Sequence, residues 1–378
     1  MPKETRLCSV LTTDEIVYDP FCDDFGPMNM LAIVNFIRLL ERQADDGVSD
    51  AIVYIASAGP RSLTNAAFLL GTYMLIVFEM APAAIIQRFV GLDPTLLEPY
   101  RDASFNAPNF GLTLLDCWSG IQRAMEHRWL ARPSKHNSQL WGRINIAEYA
   151  QYDEPLNADL HAVIPGKLVA FRGPRDLGGA TYRDVRSGVR HFAPSFFVPV
   201  LRELGVTAVL QLESPAYDPT PFTAAGMAHH SIPFQDSAAP TPAVVTRFFQ
   251  VADAAPGPVA VHCASGLGRT GTLAGLYLMR RYGFTAREAM GWLRVMRPGS
   301  VIGEQQHFLC GVEAGLPEAG FGEGRDAPSA AARVLASQVA AGSLRRHAAL
   351  LNRKRPGPGP MAHSEGQAQA CPGSCEPA

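Results

Sequence analysis

Apolar residues recur at the period of an α-helix over residues 29–40, where Met30, Ile33, Val34, Ile37 and Leu40 fall on one face. They do so again over 113–129, through Leu114, Leu115, Trp118, Ile121 and Met125. Between these stretches Ala51-Ile52-Val53-Tyr54-Ile55 has the length and character of a buried strand, Ala58-Gly59-Pro60 is a turn, and 65–78 is an apolar helix. Strand, turn, helix is a unit that returns later in the chain. After a polar boundary at 132–142, residues 146–152 form a short linker helix.

From Ile164-Pro165-Gly166-Lys167 onward, strands are expected at 168–171 and 208–212, with a helix over 196–204 between them. A loop follows 230–234 and leads into a helix over 241–252. Val259-Ala260-Val261 is a β-branched run that enters the Gly-punctuated stretch His262-Cys263-Ala264-Ser265-Gly266-Leu267-Gly268-Arg269-Thr270-Gly271, after which 272–281 is helical. Thr285 and Glu288 make a capping box for a further helix reaching Met296. Strands alternating with helices predict an α/β fold with a core sheet.

The stretch around Cys263 carries the chemistry. Unpaired N–H groups and the positive end of the dipole at a helix start make a cradle for an anion. That field also favours an anionic sulfur, which marks Cys263 as a thiolate nucleophile. Arg269 offers a planar fork for two phosphoryl oxygens, and Thr270 a hydroxyl for the departing sulfur. The phosphate-binding set is Ala264, Ser265, Gly266, Leu267, Gly268 and Arg269. The competing reading, a buried structural cysteine beside a surface arginine, leaves the strand, loop and helix context unexplained. The unit at 51–78 repeats the same plan with Ser57 near the strand end and no cysteine, which suggests a duplicated domain whose first copy does not catalyse; the alternative is that such units recur in any α/β domain.

Composition narrows the partners. With 47% hydrophobic and 18% charged residues, 378 residues suffice for two cores, while a net charge of −2 gives no global case for nucleic acid. The longest apolar run, 66–78, is short of the roughly 20 residues that span a bilayer. Seven cysteines, mostly far apart and without histidine partners at ligand spacing, predict neither a disulfide framework nor a metal site, and no cofactor is called for. A thiolate nucleophile needs a reducing compartment, so the cytoplasm or the nucleus is expected. Residues 317–378 are rich in Ala, Gly, Pro and Ser and are expected to be a disordered tail. Within it 335–351 has helical spacing, and Arg345-Arg346-His347 and Arg353-Lys354-Arg355 are basic runs.

Phe21-Cys22-Asp23-Asp24-Phe25-Gly26-Pro27-Met28-Asn29, Asn65-Ala66-Ala67-Phe68-Leu69, Arg101-Asp102-Ala103-Ser104-Phe105, Ile164-Pro165-Gly166-Lys167, the Cys263 loop, and Arg297-Pro298-Gly299-Ser300 through Gln305-Gln306-His307-Phe308-Leu309 together resemble the cell-division-cycle fourteen family of dual-specificity protein phosphatases, over about residues 18–310. The resemblance implies two tandem dual-specificity-phosphatase-like domains joined by a linker helix. The first, 1–140, is inactive; 141–163 is the linker; 164–316 is catalytic; 317–378 is the tail. It places the general acid on Asp236, within Phe234-Gln235-Asp236-Ser237-Ala238-Ala239-Pro240, and a water-positioning glutamine on Gln305. A serine alkoxide leaves poorly, so an acid at this place is needed on chemical grounds as well.

The resemblance further implies dephosphorylation of phosphoserine or phosphothreonine at proline-directed sites, and of phosphotyrosine, through a phosphocysteine. Cell division is the implied setting. Ser-Pro substrates with a nearby basic residue would be read by an acidic groove of Glu148, Asp153, Glu154 and Asp159. Two departures stand out: Ala264-Ser265 replaces the family's Lys-Ala, and Ser237-Ala238 its Gly-Ser. The lost lysine counts against a phosphoinositide substrate. A tyrosine or phosphoinositide phosphatase and a low-turnover phosphoprotein-binding module are the alternative readings.

Overall fold

The computed structural model describes residues 8–12, 16–45, 51–134, 136–185 and 189–314; the expected tail, with its helical stretch and basic runs, lies outside them. The N-terminal part consists of β1 (Cys8–Thr12), α1 (Met30–Asp45), β2 (Ala51–Ile55), α2 (Pro60–Val77), α3 (Pro82–Ile86) and α4 (Leu114–Glu126). β1 and β2 pair in parallel. The apolar stripe of α1 is buried from Met30 to Leu40, and α4 begins with Thr113 and Asp116 capping each other reciprocally.

A short antiparallel pair, β3 (Leu140–Trp141) and β4 (Ile144–Asn145), leads into α5 (Ile146–Asp153), which Asn145 caps and which matches the expected linker helix. The C-terminal part follows as β5 (Leu160–Ile164), β6 (Leu168–Arg172), β7 (Tyr182–Asp184), β8 (Arg190–Phe192), α6 (Pro194–Glu203), β9 (Ala208–Gln211), α7 (Thr220–Ala224) and β10 (Ala228–Ser231). It continues through α8 (Pro242–Ala254), β11 (Val259–Cys263), α9 (Gly268–Tyr277), α10 (Ala286–Met296) and α11 (Glu304–Ala314). The sheet has the order β10-β9-β11-β6-β5, parallel except for β5 at one edge. All five residues of β11 are buried, as a central parallel strand covered on both faces requires. Its carboxyl end therefore opens at the place where parallel α/β sheets bind ligands.

The two parts meet most closely where α4 crosses α10. A Cβ on Gly120 would come within 2.4 Å of the Glu288 carbonyl oxygen, and one on Gly291 within 2.8 Å of the Cys117 Cα. Each helix thus presents a bare backbone to the other. Ion pairs flank the crossing, Arg123 to Glu288 at 3.3 Å and Arg287 to Asp116 at 2.8 Å.

Candidate active site

β11 delivers Cys263 to the amino end of α9, and the helix begins at Gly268, inside the Gly-punctuated stretch. Gly266 has φ +70°, and a Cβ there would lie 2.1 Å from the Phe171 carbonyl oxygen, so only glycine allows the loop to sit against β6. The loop is held by its carbonyls. That of Ala264 accepts from the Gly173 N–H at 3.3 Å, those of Ser265 and Gly266 accept from Arg297 Nη2 and Nε at 2.8 and 2.9 Å, and that of Leu267 accepts from the Val301 N–H at 3.3 Å. With four successive carbonyls bound outward, the amides between them turn to the other side, around the sulfur. Arg297, nearly fully buried, is therefore the clamp that shapes the anion site. Its position 34 residues after the cysteine gives no local signal of that role.

Arg269 Nη1 donates to the carbonyls of Leu212 and Phe234, both at 3.1 Å, which fixes the guanidinium below the loop that carries Asp236. Asp236 Oδ1 lies 3.2 Å from Arg269 Nε, close enough for an ion pair although the angle is poor for a hydrogen bond. The Asp236 side chain is 70% exposed, so the pair is open to competition by an anion. Ser237, where the family pattern has glycine, sits at φ +59°. Gln305, fully buried, donates from Nε2 to the Ala238 carbonyl at 3.2 Å and reaches Gly268, whose Cβ would come within 2.9 Å of Gln305 Oε1. The structure thus brings Cys263, Arg269, Asp236 and Gln305 to one place. Thr270 is there too, its buried Oγ1 without a hydrogen-bond partner among the described residues.

Beside Cys263 in the chain, His262 Nε2 is 2.7 Å from the Tyr217 hydroxyl, and burial pushes its imidazole down to about 3. The side chain is therefore neutral in the fold. Unfolded, it takes a proton below its ordinary value of about 6.5, so stability is complete above that pH and declines as the pH falls toward 3. His161, lowered by burial, acts in the same direction. Between pH 7 and pH 4 the His262 contribution alone is expected to cost about 3 kcal/mol. Urea unfolding at both pH values measures it, and His262→Gln should flatten the decline; an unchanged slope in that variant would exclude this origin. Glu213, also near the loop, was not singled out in the sequence. Burial raises its carboxyl, and its Oε1 lies 3.8 Å from His262 Nδ1.

The four carboxylates expected to line the groove do not act alike. Asp159 is buried between Arg297 at 2.8 Å and Arg172 at 2.8 Å; burial alone would raise it, but the two guanidinium groups hold it below its ordinary value. Asp153 accepts from Asn29 Nδ2 at 2.9 Å and from His161 Nε2 at 2.8 Å. Because Arg297 donates to His161 Nδ1 at 2.9 Å, that ring keeps its single proton on Nε2, and the contact with Asp153 is a hydrogen bond rather than an ion pair. These two acids therefore support the Arg297 clamp from behind. Asp153, Glu154 and Asp159 do line one cleft of about 380 Å³, together with Asp19, Asn29, Asn35 and Pro298. Glu148 does not join them; it lines a second cavity with Glu203 and Arg143. The carboxylates free to meet a ligand in the first cleft are the exposed Glu154 and Asp19. Asp19, 129 residues before Glu148, was not found from the sequence.

A buried cysteine at the end of a central parallel strand, a clamped loop at a helix start and an arginine six residues on define the fold class of the cysteine-dependent phosphatases. Residues 1–124 match the family described as dual specificity protein phosphatase, N-terminal half, and residues 192–283 the family described as polymorphic toxin system, DSP-PTPase phosphatase. Dual specificity protein phosphatase CDC14AB of Danio rerio is 36% identical over 318 residues, covering 83% of this chain and 50% of its own. CDC14C of Homo sapiens is 36% identical over 298 residues, covering 78% and 63%. The chain is a relative of the CDC14 dual specificity protein phosphatases, with two phosphatase-type regions in one α/β chain. It spans between 50% and 63% of the length of these two relatives. No helix among the described residues is long and apolar enough to cross a membrane.

Proposed function

We propose that the chain is a cysteine-dependent protein phosphatase that hydrolyses phosphoserine, phosphothreonine and phosphotyrosine, with a preference for Ser-Pro sites and a role in cell division. The observation that carries this reading is the loop after Cys263, in which the carbonyls of Ala264, Ser265, Gly266 and Leu267 are each hydrogen-bonded, with Arg269 and Asp236 already paired beside it. An arriving phosphoryl monoanion replaces the Asp236 carboxylate on the Arg269 fork and gives up its proton to it, so that a protonated Asp236 stands near the ester oxygen. The sulfur attacks phosphorus in line while the Asp236 proton passes to the departing oxygen, and a phosphocysteine results. Water placed by Gln305 then gives its proton to Asp236 and displaces the sulfur, which Thr270 Oγ1 receives with a hydrogen bond. That CDC14AB and CDC14C are dual specificity protein phosphatases supports protein phosphatase activity, the division of the chain into an inactive half, linker, catalytic half and tail follows the same resemblance, and the chemistry asks for the reducing cytoplasm or nucleus.

The test is turnover of a phosphopeptide panel that varies the phosphorylated residue, the following proline and a nearby lysine. Faster release from phosphoserine-proline peptides with a lysine supports the reading. Reversing charge at Glu154 and Asp19 together should raise KM for lysine-containing peptides several-fold and spare neutral ones. Equal loss on both classes would remove the cleft from substrate recognition. Tight binding of phosphopeptides by the unsubstituted chain without any release would favour the binding-module alternative instead.

A further inference from the structure

We infer that Asp102, from the half of the chain that has no nucleophile, is a positioning residue for the second chemical step and acts through Gln305; the inference rests on the phosphatase reading above. Asp102 is 5% exposed, and its Oδ2 accepts from the Gly303 N–H at 2.8 Å across the interface between the halves. Gly303 immediately precedes α11, so the carboxylate sits at the positive end of that helix and satisfies one of its free N–H groups. Gln305 is the second residue of α11. Any rotation of the first turn swings its amide away from both Gly268 and the Ala238 carbonyl.

The turn before α11 needs an outside restraint. Val301, a β-branched residue, has φ +66°, a conformation that side chains branched at Cβ rarely adopt. Arg294 holds it from within the catalytic half, donating to the carbonyls of Ser300 and Val301, both at 3.0 Å, and to Gln306 Oε1 at 2.7 Å. The other restraint comes from Arg101-Asp102: the Arg101 carbonyl accepts from Arg294 Nη1 at 3.4 Å, and the Asp102 carboxylate takes the end of the turn. In the first step the nucleophile is the sulfur and Gln305 has no water to place. In the second, the water oxygen bonds to phosphorus, the P–S bond breaks, the sulfur leaves as thiolate and the water proton goes to Asp236. Loosening Gln305 slows that step alone.

The experiment follows p-nitrophenyl phosphate hydrolysis by the whole chain after rapid mixing. Asp102→Ala should lower kcat and KM together, on the order of tenfold, leave kcat/KM within about twofold, and show a nitrophenolate burst approaching one per enzyme. Asp102→Asn, whose side-chain oxygen still accepts from Gly303, should stay near the unsubstituted rate. Asp102→Ala combined with Gln305→Ala should be no slower than Gln305→Ala alone, because the two act as one unit. If the alanine variant does not fold, Asp102→Glu, which shifts the carboxylate by a methylene, should show the same burst and split. Losses that multiply in the double variant, or a fall in kcat/KM with no burst, would overturn the inference. No nitrophenolate release by the unsubstituted chain would be a different failure, that of the phosphatase reading itself.

Discussion

Cys263→Ser is expected to lower phosphate release by on the order of 10⁴-fold or more while phosphopeptide binding stays within a few-fold of the unsubstituted chain. A serine hydroxyl at the end of β11 is no thiolate, and the neighbouring His262 spends its Nε2 on the Tyr217 hydroxyl. The anion site does not depend on the sulfur. Arg297, Gly173 and Val301 hold the loop carbonyls, and Leu212 and Phe234 hold Arg269, so the cradle survives the substitution. Calorimetric titration with a phosphopeptide and a phosphate-release assay on the same sample separate the two quantities. A Cys263→Ser variant with a tenth of the original turnover would place the nucleophile elsewhere.

Asp236→Ala is expected to slow hydrolysis of a phosphoserine peptide by on the order of 10² to 10⁴ and that of an aryl phosphate far less. The alkoxide of serine cannot leave without a proton, whereas a phenolate can. The ion pair with Arg269 adds a second effect, since removing the carboxylate frees the guanidinium fork, and KM should fall for both substrates. Asp218, which accepts from the Thr220 N–H at 3.0 Å and the Thr220 hydroxyl at 2.7 Å, is the control: its replacement should leave the ratio of the two rates unchanged. Equal losses on serine and aryl phosphates in the Asp236 variant would mean that the proton comes from another group.

The phosphate loop was legible because its signals are local. A β-branched run, glycines at set positions and a helical period follow one another within a few residues, and the structure differs in starting the α-helix earlier, at Gly268 rather than Thr272, and in winding Leu278–Tyr282 as a π-helix. The caps at Thr113 and Thr285 were equally local. Pairings across the chain were not. Asp153 and Asp159 read as free groove acids because nothing nearby in sequence announces Arg297, which lies 138 residues after Asp159. For the same reason β5 escaped notice. Leu160-His161-Ala162-Val163-Ile164 carries a histidine and follows a polar stretch, yet it completes the sheet edge, and the expected linker of 141–163 ends inside it. His161 and Asp159 are buried there only because distant partners satisfy them.

The crossing of α4 and α10 bears on how substrates are chosen. Enzymes built from two lobes often select by closing over the ligand, which requires slack at the seam between the lobes. At Gly120 and Gly291 the helices touch backbone to backbone with no side chain between them, and rocking about those points would open a void or force atoms together. A hinge is thus disfavoured at this crossing, while the cleft bounded by residues 16–35 and 150–161 is lined by neither helix. For the proposed phosphatase, discrimination between peptides without closure would rest on which side chains line that cleft, and selectivity would change by single surface substitutions.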